Sequence, residues 1–366
     1  MGDERFMERA LRLALKAHRS EVKTNPLVGC VIERNGSVVG EGWHKRFGGA
    51  HAEANALRAA GRKADGATMH VTLEPCCHEG EEKKTPCCMP RIAEAGIKKV
   101  FVGMPDPNPK VNGKGIAELR RRGVKVEVLG EGKLKEKIQE INKFYITASL
   151  LRRPFALLKL AISADGKIGY PPKSRRKWIS SQKSRLLVQK LRKGFDAVLC
   201  GIGTILADNP RLTCRINHTK QPLRVVIDSK ARIPLHSRCL LNEEGNTLIA
   251  CTKKAPFERL LALAEKGAIV LVVKEKKGEV DLKDLFSKLA LLGVQGVLVE
   301  GGARIAESLL EEKLVDSLVL FIAPKKIPKG VKAPAEEIFE ALRGRKITLL
   351  KSGRDFVLET ELGSIK

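Results

Sequence analysis

The sequence predicts a two-domain α/β protein. Three observations carry that prediction. Apolar runs of strand length alternate with stretches of helical period along the chain, and the alternation is interrupted at Arg152-Arg153-Pro154 before it restarts. The length of 366 residues also exceeds what one core of ordinary size holds. The expected domains are residues 1–146 and 154–366, because proline cannot continue the long helical pattern that precedes it.

In the first domain, residues 4–18 place Phe6, Leu11, Leu13, Ala14 and Leu15 at helical spacing, and residues 27–32 read as a buried strand. Asn35-Gly36 is a hairpin turn signal, so residues 37–43 should return antiparallel. A helix over 51–60, a strand over 68–73, a helix after Cys88, a strand over 100–102 and helices over 116–122 and 133–151 follow. In the second domain strands are expected at 156–162, 197–200, 223–227, 247–250, 268–273, 297–299 and 318–322. Helices at 182–191, 258–264, 282–291 and 303–310 separate several of them. The basic stretch 173–177 reads as a loop.

Composition narrows the class. Hydrophobic residues make up 43%, enough for a packed core, and no uncharged apolar run approaches a bilayer span. The N-terminal stretch alternates apolar and charged residues as an amphipathic helix does, so a soluble cytoplasmic protein without a secretory signal is expected. Lys and Arg number 68 against 42 Asp and Glu, a net charge of +26 that attracts anions without saying which. The charge is spread along the chain and mixed with Glu, and the basic clusters lack the interleaved aromatics of single-strand binders. No nucleic-acid or membrane partner is therefore expected. A homo-oligomer is left open.

Nine cysteines are few and odd in number for a disulfide framework, and four crowd into residues 76–88, which points to metal. Cys30, Cys200, Cys214, Cys239 and Cys251 sit in or beside apolar runs and read as buried thiols. His51-Ala52-Glu53, then Pro75-Cys76, then Cys87-Cys88 supply the parts of a zinc deaminase. His51 and two cysteines would fill three positions and leave one for water. Both ligand segments should open helices, whose positive ends favour thiolate. Glu53 sits where a carboxylate can face the water without ligating the metal and move its proton to the leaving amine. Cys76 is one cysteine ligand and the other is Cys87 or Cys88. A structural knuckle of Cys76, Cys77, Cys87 and Cys88 is the rival arrangement.

Here the chain resembles a known family. Thr24-Asn25-Pro26-Leu27-Val28-Gly29, Gly42-Trp43-His44, His51-Ala52-Glu53-Ala54, Leu73-Glu74-Pro75-Cys76-Cys77-His78, Thr85-Pro86-Cys87-Cys88 and Asp106-Pro107-Asn108-Pro109 look like the deaminase half of the bifunctional riboflavin-biosynthesis deaminase/reductases. The resemblance covers nearly the whole chain. It implies a cytidine-deaminase-like α/β/α layer domain joined to a dihydrofolate-reductase-like α/β domain. The family's Thr-Pro-Pro-Cys motif has Cys87 at its second proline here, which favours Cys88 as the ligand. By the same resemblance Asn25, His44, His78 and Lys84 would hold the pyrimidine or its ribose phosphate. The loop over 79–84 is longer than is usual in the family.

The second half carries weaker signals that gain meaning from their order. Lys159-Leu160-Ala161-Ile162-Ser163-Ala164-Asp165-Gly166 ends a strand in a turn, and Trp178-Ile179-Ser180-Ser181 leads into a helix with capping hydroxyls. Gly201-Ile202-Gly203-Thr204 and Glu300-Gly301-Gly302-Ala303 each leave a strand, and the second opens a helix suited to phosphate. Alone, such a Gly-Gly is a tight turn more often than a cofactor cradle. The set resembles the family's reductase, which uses NADPH to turn a ribosyl into a ribityl chain. The resemblance implies NADPH contacts at Ala161, Trp178, Thr204, Asp208, Ser229, Gly302, Ala303, Arg304, Ile305, Ala306, Glu307 and Ser308. Substrate contacts would fall at Arg176, Arg192, Leu212, Arg215 and Glu300, with arginines suited to phosphate. Arg176 stands where the family has a small residue. Pro328-Lys329 replaces the usual glycines near the end.

The expected function is thus zinc-dependent deamination of a diaminopyrimidinone ribose phosphate followed by NADPH-dependent reduction. Two other functions compete: a nucleic-acid-editing deaminase with an RNA-binding second half, and a zinc-stabilised binding protein without turnover. The first leaves the reductase-like motifs without a purpose, and the second leaves Glu53 without one.

Overall fold

The computed structural model describes residues 2–77, 85–171, 174, 178–216, 220–241 and 246–363. It is α/β throughout and divides into two compact units, Met1–Arg152 and Arg153–Lys366. Among the described residues no helix is long and apolar enough to cross a membrane.

The first unit runs α1 (Gly2–Ala14), α2 (Arg19–Val22), β1 (Gly29–Arg34), β2 (Ser37–Trp43), α3 (Ala52–Ala60), β3 (Thr68–Val71), α4 (Cys88–Glu94), β4 (Lys99–Val102), α5 (Lys114–Arg121), β5 (Lys125–Val128) and α6 (Lys133–Leu151). Its sheet has the order β2-β1-β3-β4-β5, with β1 antiparallel to both neighbours and β3, β4 and β5 parallel. The helix expected over 4–18 stops at Ala14, and His18 caps the short α2 by accepting the Ser20 N–H. The strand expected from residue 27 begins at Gly29, because Leu27 is instead tied to α6. Its N–H donates to Asn142 Oδ1 at 2.8 Å and its carbonyl accepts from Asn142 Nδ2 at 3.0 Å. That tie fixes the loop carrying Asn25. Residue 146, where the first domain was expected to end, lies inside α6, which runs to Leu151 and ends at Arg152 in the left-handed region.

Two glycines bring α3 against β2. A Cβ on Gly42 would meet the Ala52 carbonyl at 2.3 Å, and one on Gly40 the Ala56 carbonyl at 2.4 Å. Backbone cannot yield as a side chain can, so only glycine admits this approach. The helix that follows His51 is thereby seated directly on the sheet.

The second unit contains β6 (Phe155–Ser163), β7 (Lys167–Gly169), α7 (Gln182–Gly194), β8 (Ala197–Gly201), α8 (Ile202–Asp208), β9 (Leu223–Ile227), β10 (Thr247–Cys251), α9 (Phe257–Glu265) and β11 (Ile269–Val272). It continues with β12 (Glu275–Lys276), β13 (Glu279–Val280), α10 (Leu282–Leu291), β14 (Gly296–Val299), α11 (Ala303–Glu311), β15 (Ser317–Ala323), β16 (Val331–Lys332), α12 (Ala335–Leu342), β17 (Thr348–Ser352) and β18 (Asp355–Glu361). The main sheet has the order β11-β10-β9-β8-β14-β6-β15-β18-β17, parallel from β11 through β15 and antiparallel at β18 and β17. Strands β8, β10 and β14 are buried at every residue, as parallel strands covered on both faces are. The sequence reading had no element after residue 322, and α12 and the β17–β18 hairpin are additions. Four of the five β17 residues are exposed, so that strand carries no apolar face to read.

Candidate functional site

The first site forms where α3, the segment after β3 and the start of α4 meet. His51 is the N-cap of α3, in extended backbone, and Cys88 is the first residue of α4. His51 Nδ1 lies 3.5 Å from Cys76 Sγ and 3.3 Å from Cys88 Sγ, and the three donor atoms are all within 4.8 Å of one another. A tetrahedral zinc with bonds of about 2.3 Å to sulfur and about 2.0 Å to nitrogen has an N···S edge of about 3.5 Å. The donor set therefore fits zinc in both chemistry and spacing.

Cys87 turns away from this set: its thiol donates to the Cys76 carbonyl at 2.9 Å. Cys77 faces the Val111 carbonyl at 4.0 Å. Among the described residues, the four cysteines of the alternative knuckle are not gathered into one cluster. A hydroxyl that the sequence reading passed over completes the arrangement. Thr85 Oγ1 lies 3.0 Å from His51 Nε2, which directs the ring's other nitrogen, Nδ1, toward the sulfurs. Thr85→Val should weaken zinc retention about 10- to 100-fold, read by chelator competition on the purified protein. Unchanged retention would remove Thr85 from the site.

Glu53 lies in the first turn of α3 and is only 4% exposed. Burial raises its carboxyl above the ordinary value, His51 pulls the other way, and Cys88 is a hydrogen-bond partner. His44 is also buried. Its Nε2 is 3.0 Å from the Asn25 amide nitrogen and its Nδ1 is 3.2 Å from the Ala50 carbonyl. The amide nitrogen can only donate and the carbonyl can only accept, so His44 is the neutral tautomer with its proton on Nδ1. Burial lowers its pKa, the Ala50 carbonyl opposes that and His51 adds to it. Asn25, His44 and His51 are thus brought together, the two rings meeting edge to face at 5.6 Å. His78 and Lys84 lie outside the described residues.

Two further carboxylates shape this region. Glu74, buried directly before Pro75-Cys76, accepts the N–H groups of Asp106 at 3.1 Å, Gly113 at 2.9 Å and Ile116 at 3.1 Å. Asp106 accepts the Tyr145 hydroxyl at 2.8 Å and the Asn108 N–H at 2.9 Å, and burial pushes its carboxyl up to about 6. Both residues stand in motifs that the sequence displays, but apart from Asn108 their partners lie 32 to 42 positions away.

The second site gathers around β14. Glu300 follows that strand and forms a two-pronged pair with Arg192 of α7, Nε to Oε1 at 2.5 Å and Nη2 to Oε2 at 2.9 Å. Arg192 Nη1 donates to the Thr213 carbonyl at 2.8 Å. Lys159 on β6 is the second cation near Glu300. Burial would raise the Glu300 carboxyl, yet Arg192 and Lys159 hold it below its ordinary value. Lys159 itself is lowered by burial, with Glu300 opposing and Arg192 reinforcing. Each nitrogen of the Arg192 guanidinium thus makes one hydrogen bond, two to Glu300 and one to the Thr213 carbonyl. Arg215 has an exposed side chain and donates its N–H to Gln189 Oε1 at 2.8 Å. Leu212 is buried in the left-handed region, so backbone is what it can present.

The residues expected to meet NADPH, Trp178 apart, lie at or beyond the carboxyl ends of parallel strands. Ala161 is near the end of β6, Thr204 and Asp208 are on α8 after β8, Ser229 follows β9, and Gly302 with the first residues of α11, through Ser308, follows β14. Such a row is where open parallel sheets take ligands. Gly201 and Gly301 have a packing reason of their own, since a Cβ on either would come within 2.9 and 3.0 Å of Ile305. No side chain caps α11. The Ser229 hydroxyl donates to Glu279 at 3.1 Å and accepts the Val280 N–H at 3.2 Å. Trp178 is 59% exposed, with the Arg185 guanidinium 4.9 Å from its ring. Arg176 lies outside the described residues.

Comparison with known proteins places both sites in families. Residues 1–104 match the cytidine and deoxycytidylate deaminase zinc-binding region, and residues 154–358 match the RibD C-terminal domain. The riboflavin biosynthesis protein RibD of Actinobacillus pleuropneumoniae is 38% identical over 365 residues, covering 98% of this chain and 95% of that protein. RibD of Aquifex aeolicus is 39% identical over 360 residues, covering 97% of each. Among solved structures, Acinetobacter baumannii RibD is similar with a TM-score of 0.81 at 33% identity, over 98% of both chains. A diaminohydroxyphosphoribosylaminopyrimidine deaminase/5-amino-6-(5-phosphoribosylamino)uracil reductase of Thermotoga maritima is similar with a TM-score of 0.81 at 32% identity, also over 98% of both.

Proposed function

The chain belongs to the RibD family of bifunctional riboflavin-biosynthesis enzymes, both a hydrolase and an oxidoreductase, and from that premise we propose which of its residues carry each step. The substrate is 2,5-diamino-6-(5-phosphoribosylamino)pyrimidin-4(3H)-one. Residues 1–146 deaminate it, and residues 154–366 reduce its ribosyl group to ribityl with NADPH.

In the deaminase, His51, Cys76 and Cys88 hold zinc. Bound there, zinc would supply the acidified water that serves as nucleophile at neutral pH. Glu53 takes the proton of the attacking water and returns it to the departing amine. Its burial leaves no bulk water to compete for that proton. Asn25 and His44, with the His44 tautomer fixed by its two partners, and by family resemblance His78 and Lys84, hold the pyrimidine or its ribose phosphate. The observation that carries this reading is the convergence of His51, Cys76 and Cys88 beside a buried Glu53.

In the reductase, NADPH supplies hydride. Ala161, Thr204, Asp208, Ser229 and the helix start from Gly302 to Ser308 hold it along the carboxyl ends of β6, β8, β9 and β14, with Trp178 contributing from the segment before α7. Glu300 meets the ribose, held in place by Arg192, while Arg215 and the backbone of Leu212 take the phosphate side. Arg176 is kept as a weaker substrate contact. The positive charge of the chain then serves phosphorylated small molecules, and the RNA-editing alternative gains no support from the match of residues 154–358 to a RibD domain.

The test follows ammonia and NADPH oxidation separately on the purified protein with the diamino substrate. Ammonia should appear without NADPH, and NADPH should be consumed only after deamination. Consumption of NADPH at full rate without ammonia release would overturn the proposed order.

A further inference from the structure

The C-terminal hairpin reaches back to the start of α7. Asp355, the first residue of β18, is 1% exposed. Its Oδ2 accepts the Ser181 N–H and the Ser184 hydroxyl, each at 2.6 Å. The Ser352 carbonyl accepts from Ser181 Oγ at 3.2 Å and from Ser184 Oγ at 3.4 Å. Gly353 has φ of +64°, and a Cβ there would come within 3.1 Å of Ser181 Oγ. The turn over 352–355 is thus fitted closely to the helix start.

Helix α7 already has a local cap, because Ser181 Oγ accepts the Ser184 N–H at 3.3 Å. The carboxylate of Asp355 adds a negative charge at the positive end of the helix dipole and ties that end to the sheet edge. What it adds to the local cap is location. Three residues before the cap stands Trp178, whose carbonyl accepts from Lys325 Nζ at 2.7 Å. In the last turn of the same helix stands Arg192, paired with Glu300.

We propose that Asp355 is a positioning residue of the reductase, holding the 178–181 segment and the start of α7 where NADPH is received. The proposal rests on the assignment of Trp178 to NADPH. The chain has two tryptophans, Trp178 and Trp43, and Trp43 belongs to the other unit. NADPH titrated into the full-length protein should quench Trp178 emission, and Trp178→Phe should remove that signal.

Asp355→Leu, which strips the acceptor, should raise the NADPH Kd and KM about tenfold while kcat changes much less. Asp355→Asn keeps an acceptor oxygen and should recover most of the affinity. Should Asp355→Leu fail to fold, Ser184→Ala carries the test, with an expected rise of about threefold. Deamination and melting temperature report folding in each case. An intact wild-type quench with equal Kd in all variants would overturn the proposal alone, even if melting temperatures fall. A wild-type emission indifferent to NADPH would overturn the Trp178 assignment and the proposal together.

Discussion

Replacing Glu53 by glutamine should lower the deamination rate by about 10²- to 10⁴-fold, the range a positioned acid–base group supplies. Glutamine preserves the shape of the side chain and an acceptor oxygen, but it cannot take a proton from water and return it. The residue is buried at the base of α3, so no solvent group replaces it. Glu53 stands outside the His51, Cys76 and Cys88 donor set, and zinc content should therefore stay at the wild-type level. NADPH oxidation on the deaminated intermediate should also be unchanged. The measurement is ammonia release with metal content determined on the same sample. A variant that keeps zinc and deaminates within twofold of wild type would remove Glu53 from its role.

Glu300→Ala should abolish reduction and cost the second unit about 3–5 kcal/mol, the usual result of removing one partner from a buried ion pair. The loss is large because Glu300 faces two cations. Arg192, a residue 8% exposed, is left without its carboxylate, and Lys159 loses the one that opposes its desolvation. Arginine cannot deprotonate, but lysine can. In wild type the Lys159 pKa is already lowered by burial, and removing Glu300 lowers it further. The folded variant therefore binds fewer protons than its unfolded chain between the lowered Lys159 value and the ordinary lysine range. Its stability should rise with pH across that window. Denaturant melts at several pH values read the effect, with deamination as the control for the first unit. Stability equal to wild type would mean that the pair is not a buried charge pair in solution.

The chemistry at the metal was legible in the sequence to the level of residue types. His51 and Glu53 stand two positions apart at a helix start and Pro75-Cys76 follows the end of a strand, and each of these is a local feature. Which of Cys87 and Cys88 joins them was not legible from the residues. Neighbours on a chain differ only in direction, and direction is set by where α4 begins. With Cys88 as its first residue, Cys87 becomes the cap and points its thiol at the Cys76 carbonyl. Thr85 was overlooked for the same reason, since its partner His51 lies 34 positions earlier.

In the second half the buried strands announced themselves as continuous apolar runs, whereas the C-terminal hairpin did not. Strand β17 is exposed at four residues, and β18 alternates buried and exposed positions with polar residues among the buried ones. Their place at the edge of the sheet comes from the pairing of β18 with β15 and of β17 with β18, not from a pattern of their own.

The sequence by itself determined the alternation of strands and helices, the donor chemistry of the metal site and the break before Pro154. These follow from periodicity, capping and proline geometry, which act within a few residues. Only the tertiary structure decided that Cys88 completes the donor set, that Arg192 is paired with Glu300 108 positions away, and that Asp355 holds Ser181 across 174 positions. Partners so distant are selected by strand order and by how closely backbones can pack, and neither is written in any local stretch of chain.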